Sequence, residues 1–350
     1  MQQTDNHPVR VAIAGLGRSG WNIHAETIGK MTDRYKLTAV SDPNSERRAE
    51  AKSQFGCKAY ENFEDLLATD DTELLVVATP NLLHTEHTIA ALHAGCDVIC
   101  EKPMALSVKD ADRMIEAAKD SGRMLAPFQN RRYEPSGLKI KQILDSGQLG
   151  RIIQIRMAWH SFGRRWDWQT LREFGGGALN NNGTHLIDQA LFLLGEGEVK
   201  VFVEMKNALS SGDAEDHIKV IMQLATGEGP TLDLELTSAS AYPQDNWHIM
   251  ATGGGLSGTT SKLQWKWVDW LEMPPRPVNR EPTVDRRYNS ETLSWQEDQW
   301  ELAPDAPWPH VVFYRELFAT IRTGKPLFVT PESVRRQIQV LDACRAACTE

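Results

Sequence analysis

Residues 175–188, GGGALNNNGTHLID, place three asparagines just before a histidine at the start of a helical segment. On a continuous helix Asn181, His185 and Asp188 fall at positions i, i+4 and i+7, so one face presents all three side chains. An imidazole titrates in the range useful for moving a proton, which makes His185 a candidate base. A lone histidine on such a face is more often structural. Asp188 is equally compatible with orienting the ring and with helix–sheet packing.

The segment EKP at 101–103 supplies a second candidate, Lys102. It follows the apolar run DVIC, and α/β sheets bind ligands beyond the carboxyl ends of their parallel strands. An ammonium there can hydrogen-bond a reacting oxygen and stabilise alkoxide character. Oxidation of a secondary alcohol needs such a group, with a base for the hydroxyl proton while hydride leaves. A surface lysine is the alternative, since lysines are mostly exposed.

GLGRSG at 15–20 matches G-x-G-x-x-G, follows the apolar run VRVAIA and opens a helix. In this context Gly15 makes the tight turn, Gly17 lets the backbone approach a pyrophosphate, and Gly20 lets helix and strand pack closely. The helix N-terminus adds amides and a positive dipole end for the phosphates. A dinucleotide site is therefore predicted at this turn.

Asp42, at the end of the second apolar run, can accept both ribose hydroxyls and repel a 2′-phosphate, which favours NAD over NADP. Arg18 leaves alternatives open, because its guanidinium could hold that phosphate, contact the pyrophosphate or face solvent.

The elements that must position these residues change character at about residue 130. Residues 9–129 alternate short apolar runs with helical stretches, which predicts a parallel, doubly wound sheet. Beyond it, a helix, the long alternating run RIIQIRMAWHSF, a second helix and three β-runs predict a mostly antiparallel sheet with one open face. We predict an α/β fold with domains at 1–130 and 131–350. The last helix should pack back near the first domain.

Composition narrows the class of protein. The 350 residues carry a net charge of −9, which argues against a nucleic acid or an anionic membrane as partner. No stretch approaches about 18 apolar residues, so no transmembrane helix is expected. The five cysteines lack zinc-site spacing, so we expect no metal, reduced thiols and a cytoplasmic location. The tryptophans scattered through 265–310 suggest core or interface packing, with 274–287 as a surface excursion.

GLGRSG, VVATPNLLH at 76–84, EKP and GGGALNNNGTHLID, in this order, resemble the Gfo/Idh/MocA family, and IRTGKPLFVTPESVRRQIQVLDA extends the likeness to the C-terminus. The resemblance implies a Rossmann domain and an α/β domain whose large, mostly antiparallel sheet faces the nicotinamide across the substrate. It also implies NAD(P)-linked redox chemistry on sugars, glycosides or cyclitols, in a homo-oligomer (dimer or tetramer) formed through that sheet.

On that resemblance the catalytic residues are Lys102, His185 and Asn181. The cofactor-binding set is Gly15, Gly17, Arg18, Ser19, Gly20, Asp42, Thr79, Pro80, Asn81, His84, Glu101 and Lys102. The substrate-binding set is Gln129, Arg132, Trp159, Arg164, Trp166, Trp168, Arg172, Asn182 and His185. Aromatic faces beside hydrogen-bonding groups suit a sugar ring, although packing of the loop explains the tryptophans equally well.

Asn181 departs from the family pattern, which commonly has aspartate there to support a Lys–His proton relay. Without that charge an imidazolium at His185 loses support, so its pKa should be lower. Lys102 and His185 could act alone, the asparagines 180–182 could bind substrate hydroxyls, or oxidation could be lost. We expect an NAD-dependent oxidoreductase acting on a secondary hydroxyl. The alternatives are glycoside cleavage through transient oxidation and a non-catalytic sugar sensor.

Overall fold

The computed structural model describes residues 7–68, 71–283 and 286–348. Its first part is a six-stranded parallel sheet of order β3-β2-β1-β4-β5-β6. The strands are β1 (Val9–Ala14), β2 (Tyr35–Ser41), β3 (Lys58–Tyr60), β4 (Leu74–Val77), β5 (Asp97–Cys100) and β6 (Leu125–Pro127). The order reverses between β1 and β4, so the predicted doubly wound sheet is confirmed. Such a reversal opens the crevice in which these sheets bind ligands.

Helices cross between these strands on both faces of the sheet. They are α1 (Glu26–Lys30), α2 (Ser45–Phe55), α3 (Phe63–Leu67), α4 (His84–His93) and α5 (Val108–Ser121). Asn44 and Ser107 cap α2 and α5 with side-chain oxygens that accept from backbone amides, and Gly56 and Gly122 end the same helices in the left-handed conformation. These residues fix where each crossover turns back to the sheet.

The second part is an eight-stranded sheet of order β14-β13-β12-β11-β7-β10-β9-β8. Its strands are β7 (Ile152–His160), β8 (Val199–Lys206), β9 (His217–Leu224), β10 (Thr231–Thr237), β11 (Trp247–Ala251), β12 (Gly254–Gly258), β13 (Lys262–Trp267) and β14 (Gln296–Glu301). The β7–β10 pair is parallel and the other pairs are antiparallel, as the mostly antiparallel prediction requires. The remaining helices are α6 (Pro135–Asp145), α7 (Thr184–Leu194), α8 (Pro309–Thr323) and α9 (Pro331–Ala347).

One face of the eight-stranded sheet is covered by helices. Ile218 and Val220 of β9 are buried in one core with Leu186 of α7. On the opposite face Lys219 of β9 lies 3.1 Å from the carboxylate of Glu235 on β10, and both side chains are partly exposed. The period-2 pattern of these strands therefore produces the open face that the sequence predicts.

The tryptophan-rich segment is more ordered than its composition suggests. Parts of it form β13 and the edge strand β14, with Trp265 buried and its indole nitrogen donating to Gln148 at 3.2 Å. Trp308 is exposed, and the described part of 274–287 is mostly exposed, in line with a surface excursion. Residues 284–285 lie outside the described part. The excursion thus connects two paired strands.

Helices α8 and α9 join the two halves of the molecule. Phe313 and Tyr314 of α8 and Ile338 of α9 belong to the core of the parallel sheet. Leu341 and Cys344 of α9 belong to the core of the second sheet. Residues 309–347 therefore contribute to both cores, and the boundary at residue 130 stays a prediction.

Within the described ranges no helix is long and apolar enough to cross a membrane, and no three His, Cys, Asp or Glu side chains gather as metal ligands. All five cysteines are free thiols. Cys348 is exposed and the other four are buried.

Candidate active site

The glycines in the turn after β1 differ in whether the protein leaves room for a side chain. A Cβ on Gly15, whose φ is +93°, would lie 2.5 Å from the carbonyl oxygen of Ala78, and one on Gly20 would lie 1.9 Å from that of Gly15. The fold itself therefore excludes side chains at both positions. A Cβ on Gly17 would meet no protein atom within 4 Å. Ser19 precedes the π-helical turn Gly20–Ala25 that opens here. The space left over Gly17 suits the close approach of a pyrophosphate.

Asp42 is fixed beside this turn, at the end of β2. One carboxylate oxygen accepts from the backbone amide of Leu16 at 2.8 Å, and the other accepts from that of Asn44 at 2.8 Å. Arg47 lies 3.4 Å from the first oxygen, and Arg18 is exposed. Each carboxylate oxygen keeps further acceptor capacity, so Asp42 fits the ribose-binding role of the fingerprint.

Residues 79–81 leave β4 and contact both neighbouring loops. Buried His84 lies between two backbone carbonyls, with Nε2 2.9 Å from the oxygen of Thr79 and Nδ1 2.8 Å from that of Pro103. The side-chain amide of Asn81 donates to the carbonyl oxygen of Gly175 at 3.1 Å. Burial lowers the pKa of His84. His84 therefore holds the β4 and EKP loops together.

Glu101 is buried behind the EKP loop. Its carboxylate accepts from the backbone amide of Lys102 at 2.9 Å and lies 3.1 Å from Nε2 of His24. The other nitrogen of His24 lies 2.7 Å from the hydroxyl of Tyr314. Burial raises the pKa of Glu101, but His24 and Lys102 outweigh it, so the net pKa is lowered and the group stays ionised. The structure thus places an anion next to Lys102.

Lys102 follows β5 and reaches across to the GGGALNNNGTHLID segment. Its ammonium donates to the side-chain oxygen of Asn181 at 2.9 Å and to the backbone oxygen of the same residue at 3.0 Å. Two of the three predicted catalytic residues are therefore in direct contact.

The surroundings of Lys102 stabilise its charged form less than water does. Burial lowers the pKa of Lys102 to about 8. The carboxylate of Glu101 opposes this effect, while the guanidiniums of Arg18, Arg131 and Arg165 add to it. At neutral pH the ammonium still dominates, but it loses its proton far more readily than an exposed lysine.

His185 lies in the first turn of α7 and is 6% exposed. Its Nδ1 is buried and, among the described residues, has no hydrogen-bond partner. Burial, followed by Lys102 and Arg131, lowers the pKa of His185 well below its usual range, so the ring is neutral at pH 7. Asp188 instead accepts from Arg132 in a two-point contact. Asp188 thus pairs with the turn Asn130–Tyr133, a partner that neither of the two roles left open for it included.

The helix that carries these residues changes its winding along its length. Residues Leu179–Gly183 form a π-helical turn that runs directly into α7 at Thr184. The predicted α-helical spacing therefore does not hold at Asn181, which lies in the wider turn. In that turn both oxygens of Asn181 face Lys102, and such turns occur frequently at functional sites.

The neighbouring asparagines have different surroundings. The side-chain oxygen of Asn180 accepts from Arg345 at 2.8 Å, and its amide donates to Gly175 at 3.2 Å. Asn182 is exposed. Asn180 is thus engaged by protein groups, and the role of Asn182 in substrate binding stays a prediction.

The loop 161–174 connects to Asn181 through Gln169. Arg165 pairs with both oxygens of Asp167, at 2.9 and 2.8 Å, and donates to the side-chain oxygen of Gln169 at 2.6 Å. The same oxygen accepts from the amide of Asn181 at 3.5 Å. Because Gln169 offers an acceptor, the amide nitrogen of Asn181 faces it and the amide oxygen faces Lys102.

Gln129 and Arg132, predicted to bind substrate, lie in a buried network between α7 and α9. The amide of Gln129 donates to Thr184 at 3.2 Å and to Gln337 at 3.2 Å. Arg132 donates to Ser333 at 3.0 Å besides its contact with Asp188. Their role as substrate ligands stays a prediction.

The other predicted substrate residues lie on β7 and in the loop 161–174 that follows it. Trp159 is partly buried, with the guanidinium of Arg131 4.9 Å from its ring centre. The exposed members are Arg164, Trp166, Trp168 and Arg172. The sequence patterns did not indicate three further residues near Lys102, namely Arg131, His24 and Gln169. Arg131 and Arg132 are adjacent in the sequence, which gives no signal of which one lies near Lys102.

Comparison with known proteins bears on this geometry. Residues 9–129 match the family model for the oxidoreductase family with an NAD-binding Rossmann fold, and residues 138–257 match the Gfo/Idh/MocA C-terminal domain. The chain belongs to the Gfo/Idh/MocA family. The N-terminal domain of this family member is thus an NAD-binding Rossmann domain, as its glycine turn and Asp42 predict.

Relatives within the Gfo/Idh/MocA family differ in their stated activities. Scyllo-inositol 2-dehydrogenase (NADP(+)) IolW of Bacillus subtilis is 24% identical over 98% of this chain and 94% of its own. 2,7-Anhydro-N-acetylneuraminate hydratase of Mediterraneibacter gnavus is 29% identical over 96% and 93%. Alignments with two uncharacterized oxidoreductases of Schizosaccharomyces pombe span 65% of those proteins. An NAD-binding protein from Listeria innocua superimposes with a TM-score of 0.81 at 25% identity, over 97% of both chains.

Proposed function

We propose that this protein is an NAD-dependent oxidoreductase that transfers hydride between a secondary hydroxyl of a sugar, sugar derivative or cyclitol and the nicotinamide. The observation that carries the proposal is the contact of the Lys102 ammonium with Asn181, with His185 buried and neutral in the following turn. The inositol dehydrogenase among its relatives supports the substrate class. NAD, when bound, supplies the hydride acceptor.

The residues fit a two-electron oxidation whose atoms balance. The carbinol C–H leaves as hydride, the hydroxyl proton goes to Nδ1 or Nε2 of His185, and a ketone forms. Lys102 donates a hydrogen bond to the reacting oxygen and stabilises its developing negative charge. A neutral imidazole is the protonation state that a base requires. This assigns polarisation to Lys102 and proton transfer to His185.

Asn181 sets the acid strength of Lys102 in this scheme. Its amide oxygen accepts from the ammonium without adding charge, so the pKa of Lys102 stays near 8. A catalytic acid works best when its pKa lies near the operating pH. The neutral asparagine therefore leaves Lys102 protonated at neutral pH but with a lowered pKa, which makes its ammonium a stronger hydrogen-bond donor to the reacting oxygen.

A second candidate is elimination through transient oxidation, for which bound NAD would supply a reversible hydride acceptor, so that no net oxidation results. One relative that aligns over nearly its full length is named a hydratase, which supports this second candidate. The same Lys102 and His185 would serve it, because oxidation acidifies the neighbouring C–H in either case.

The proposal extends to assembly and location. The open face of the eight-stranded sheet, with Phe202 66% exposed and Met250 41% exposed, supports a homo-oligomer formed through that face. Four buried free thiols suit a reducing cytoplasm. Light scattering on the purified chain tests the first point, and a monomer would reject it.

Nicotinamide absorbance with NAD or NADP, against a panel of sugars, inositols and glycosides with product analysis, tests the function. Net reduction by one group of polyols supports the dehydrogenase. Lys102→Met and His185→Asn should each lower kcat/KM by about a hundredfold or more while NADH binding is kept. Cleaved glycoside without net reduction would select elimination, and unchanged substrates throughout would reject both.

A further inference from the structure

Several cations act on Lys102. The guanidiniums of Arg18, Arg131 and Arg165 lower the pKa of Lys102, while the carboxylate of Glu101 raises it. That carboxylate lies 3.1 Å from Nε2 of His24, behind the loop. Asn181, which contacts the ammonium, adds no negative charge. Whether one of these guanidiniums can bind a further anion depends on the partners that it already has in the protein.

These three arginines differ in their partners within the protein. Arg18 is exposed in the glycine turn, beside the predicted dinucleotide site rather than the substrate. Arg165 is held by both oxygens of Asp167 and by Gln169. Neither is therefore the best candidate to bind an anionic substrate.

Arg131 remains as a cation with spare donors. It lies in the short turn Asn130–Tyr133 that follows β6, the strand next to β5, and its side chain is 42% exposed. Its guanidinium stacks 4.9 Å from the ring centre of Trp159, which fixes the plane of the fork. One nitrogen forms an ion pair with the carboxylate of Glu134 at 3.3 Å, and within the described residues its other two nitrogens have no hydrogen-bond acceptor. A planar fork with free donors matches a carboxylate.

We propose that the substrate is an acid: a sugar or cyclitol bearing a carboxylate that Arg131 binds, with the reacting hydroxyl presented to Lys102 and His185. The inference rests on the proposed function and narrows its substrate class. A bound carboxylate supplies the negative charge that Asn181 does not. The carboxylate binds among cations that repel one another, so its negative charge reduces that repulsion.

The test compares matched pairs that differ only in the carboxylate. Methyl glucuronide against methyl glucoside, and methyl galacturonide against methyl galactoside, are titrated into the full chain with NADH, using quenching of NADH fluorescence. An alcohol cannot pass hydride to NADH, so binding is measured without turnover. The acid of at least one pair should bind about tenfold or more tightly than its neutral partner, and the preference should shrink as salt rises.

Arg131→Gln should abolish the preference for the acid, and Arg131→Lys should keep part of it. Arg151→Gln, which removes an exposed charge at the start of β7, should leave it unchanged. Equal binding within both pairs, including no binding at all, would overturn the proposal, as would a preference that survives Arg131→Gln with NADH affinity intact. Failure of the proposed function looks different: acids bind preferentially, but no acid or neutral sugar is oxidised.

Discussion

Replacing Asn181 by aspartate tests the account of the proton relay most directly. The change puts a negative charge at the atom that lies 2.9 Å from the Lys102 ammonium. For unit charges at that 2.9 Å separation, an effective dielectric constant of about 20 gives on the order of 6 kcal/mol. Partial exposure screens this, and opposite charges at such range usually change a pKa by about one to three pH units. The pKa of Lys102 should therefore rise from about 8 by that amount.

The assay is the pH dependence of kcat/KM for oxidation of the best substrate. Oxidation needs protonated Lys102 and neutral His185, so the wild-type rate should fall above about pH 8 and also at low pH as His185 gains its proton. In Asn181→Asp the alkaline limb should move up by about one to three pH units. The acid limb should also move up, because the new carboxylate favours the imidazolium.

Asn180→Asp is the matched control. It adds the same charge one residue away, where the side-chain oxygen accepts from Arg345 rather than Lys102. Its alkaline limb should stay near that of the wild type. An unmoved alkaline limb in Asn181→Asp, with fold and NADH affinity preserved, would refute the assignment of that limb to Lys102.

Other substitutions test the cofactor turn and the buried network. Gly20→Ala should prevent folding, because its Cβ would lie 1.9 Å from a backbone oxygen, whereas Gly17→Ala should fold normally by circular dichroism and bind NADH about tenfold or more weakly by fluorescence titration. Asp42→Ala should reduce the kcat/KM ratio of NAD to NADP by about tenfold or more in steady-state assays, and an unchanged ratio would contradict its ribose role. Asp188→Asn should cost about 3–5 kcal/mol of unfolding free energy in urea, because it leaves Arg132 buried without a counter-charge; a cost below about 1 kcal/mol would show that the pair is not critical.

The sequence predicts the architecture well because its patterns are local. Alternation of strands and helices before residue 130, and period-2 strands after it, each depend on neighbours along the chain. The glycine turn and Asp42 carry a short motif whose physical reasons are visible in the residues. The strands β13 and β14 were not predicted. β13 alternates, with Leu263 and Trp265 buried, but β14 is an edge strand whose residues are almost all exposed, so its pattern does not indicate a strand.

Side-chain partnerships could not be predicted in the same way. Nothing local indicates that Asp188 pairs with Arg132 or that Gln169 orients Asn181, since these contacts join segments distant in sequence. The π-turn is equally hidden. Three asparagines and a glycine are compatible with an ordinary α-helical start, and the wider turn is seen only in the structure.

Helix α8 completes the core of the parallel sheet, although it is translated near the end of the chain. The hydroxyl of Tyr35 donates to the backbone oxygen of Tyr314 at 2.7 Å across 279 residues, and the ring of Phe313 lies 4.7 Å from that of Phe128. When the parallel sheet leaves the ribosome, the aromatic residues that complete its core have not yet been translated. The nascent sheet therefore exposes an apolar surface until the last helices arrive, an interval in which chaperones protect such chains. A circular permutant that begins with α8 would close this core early in translation.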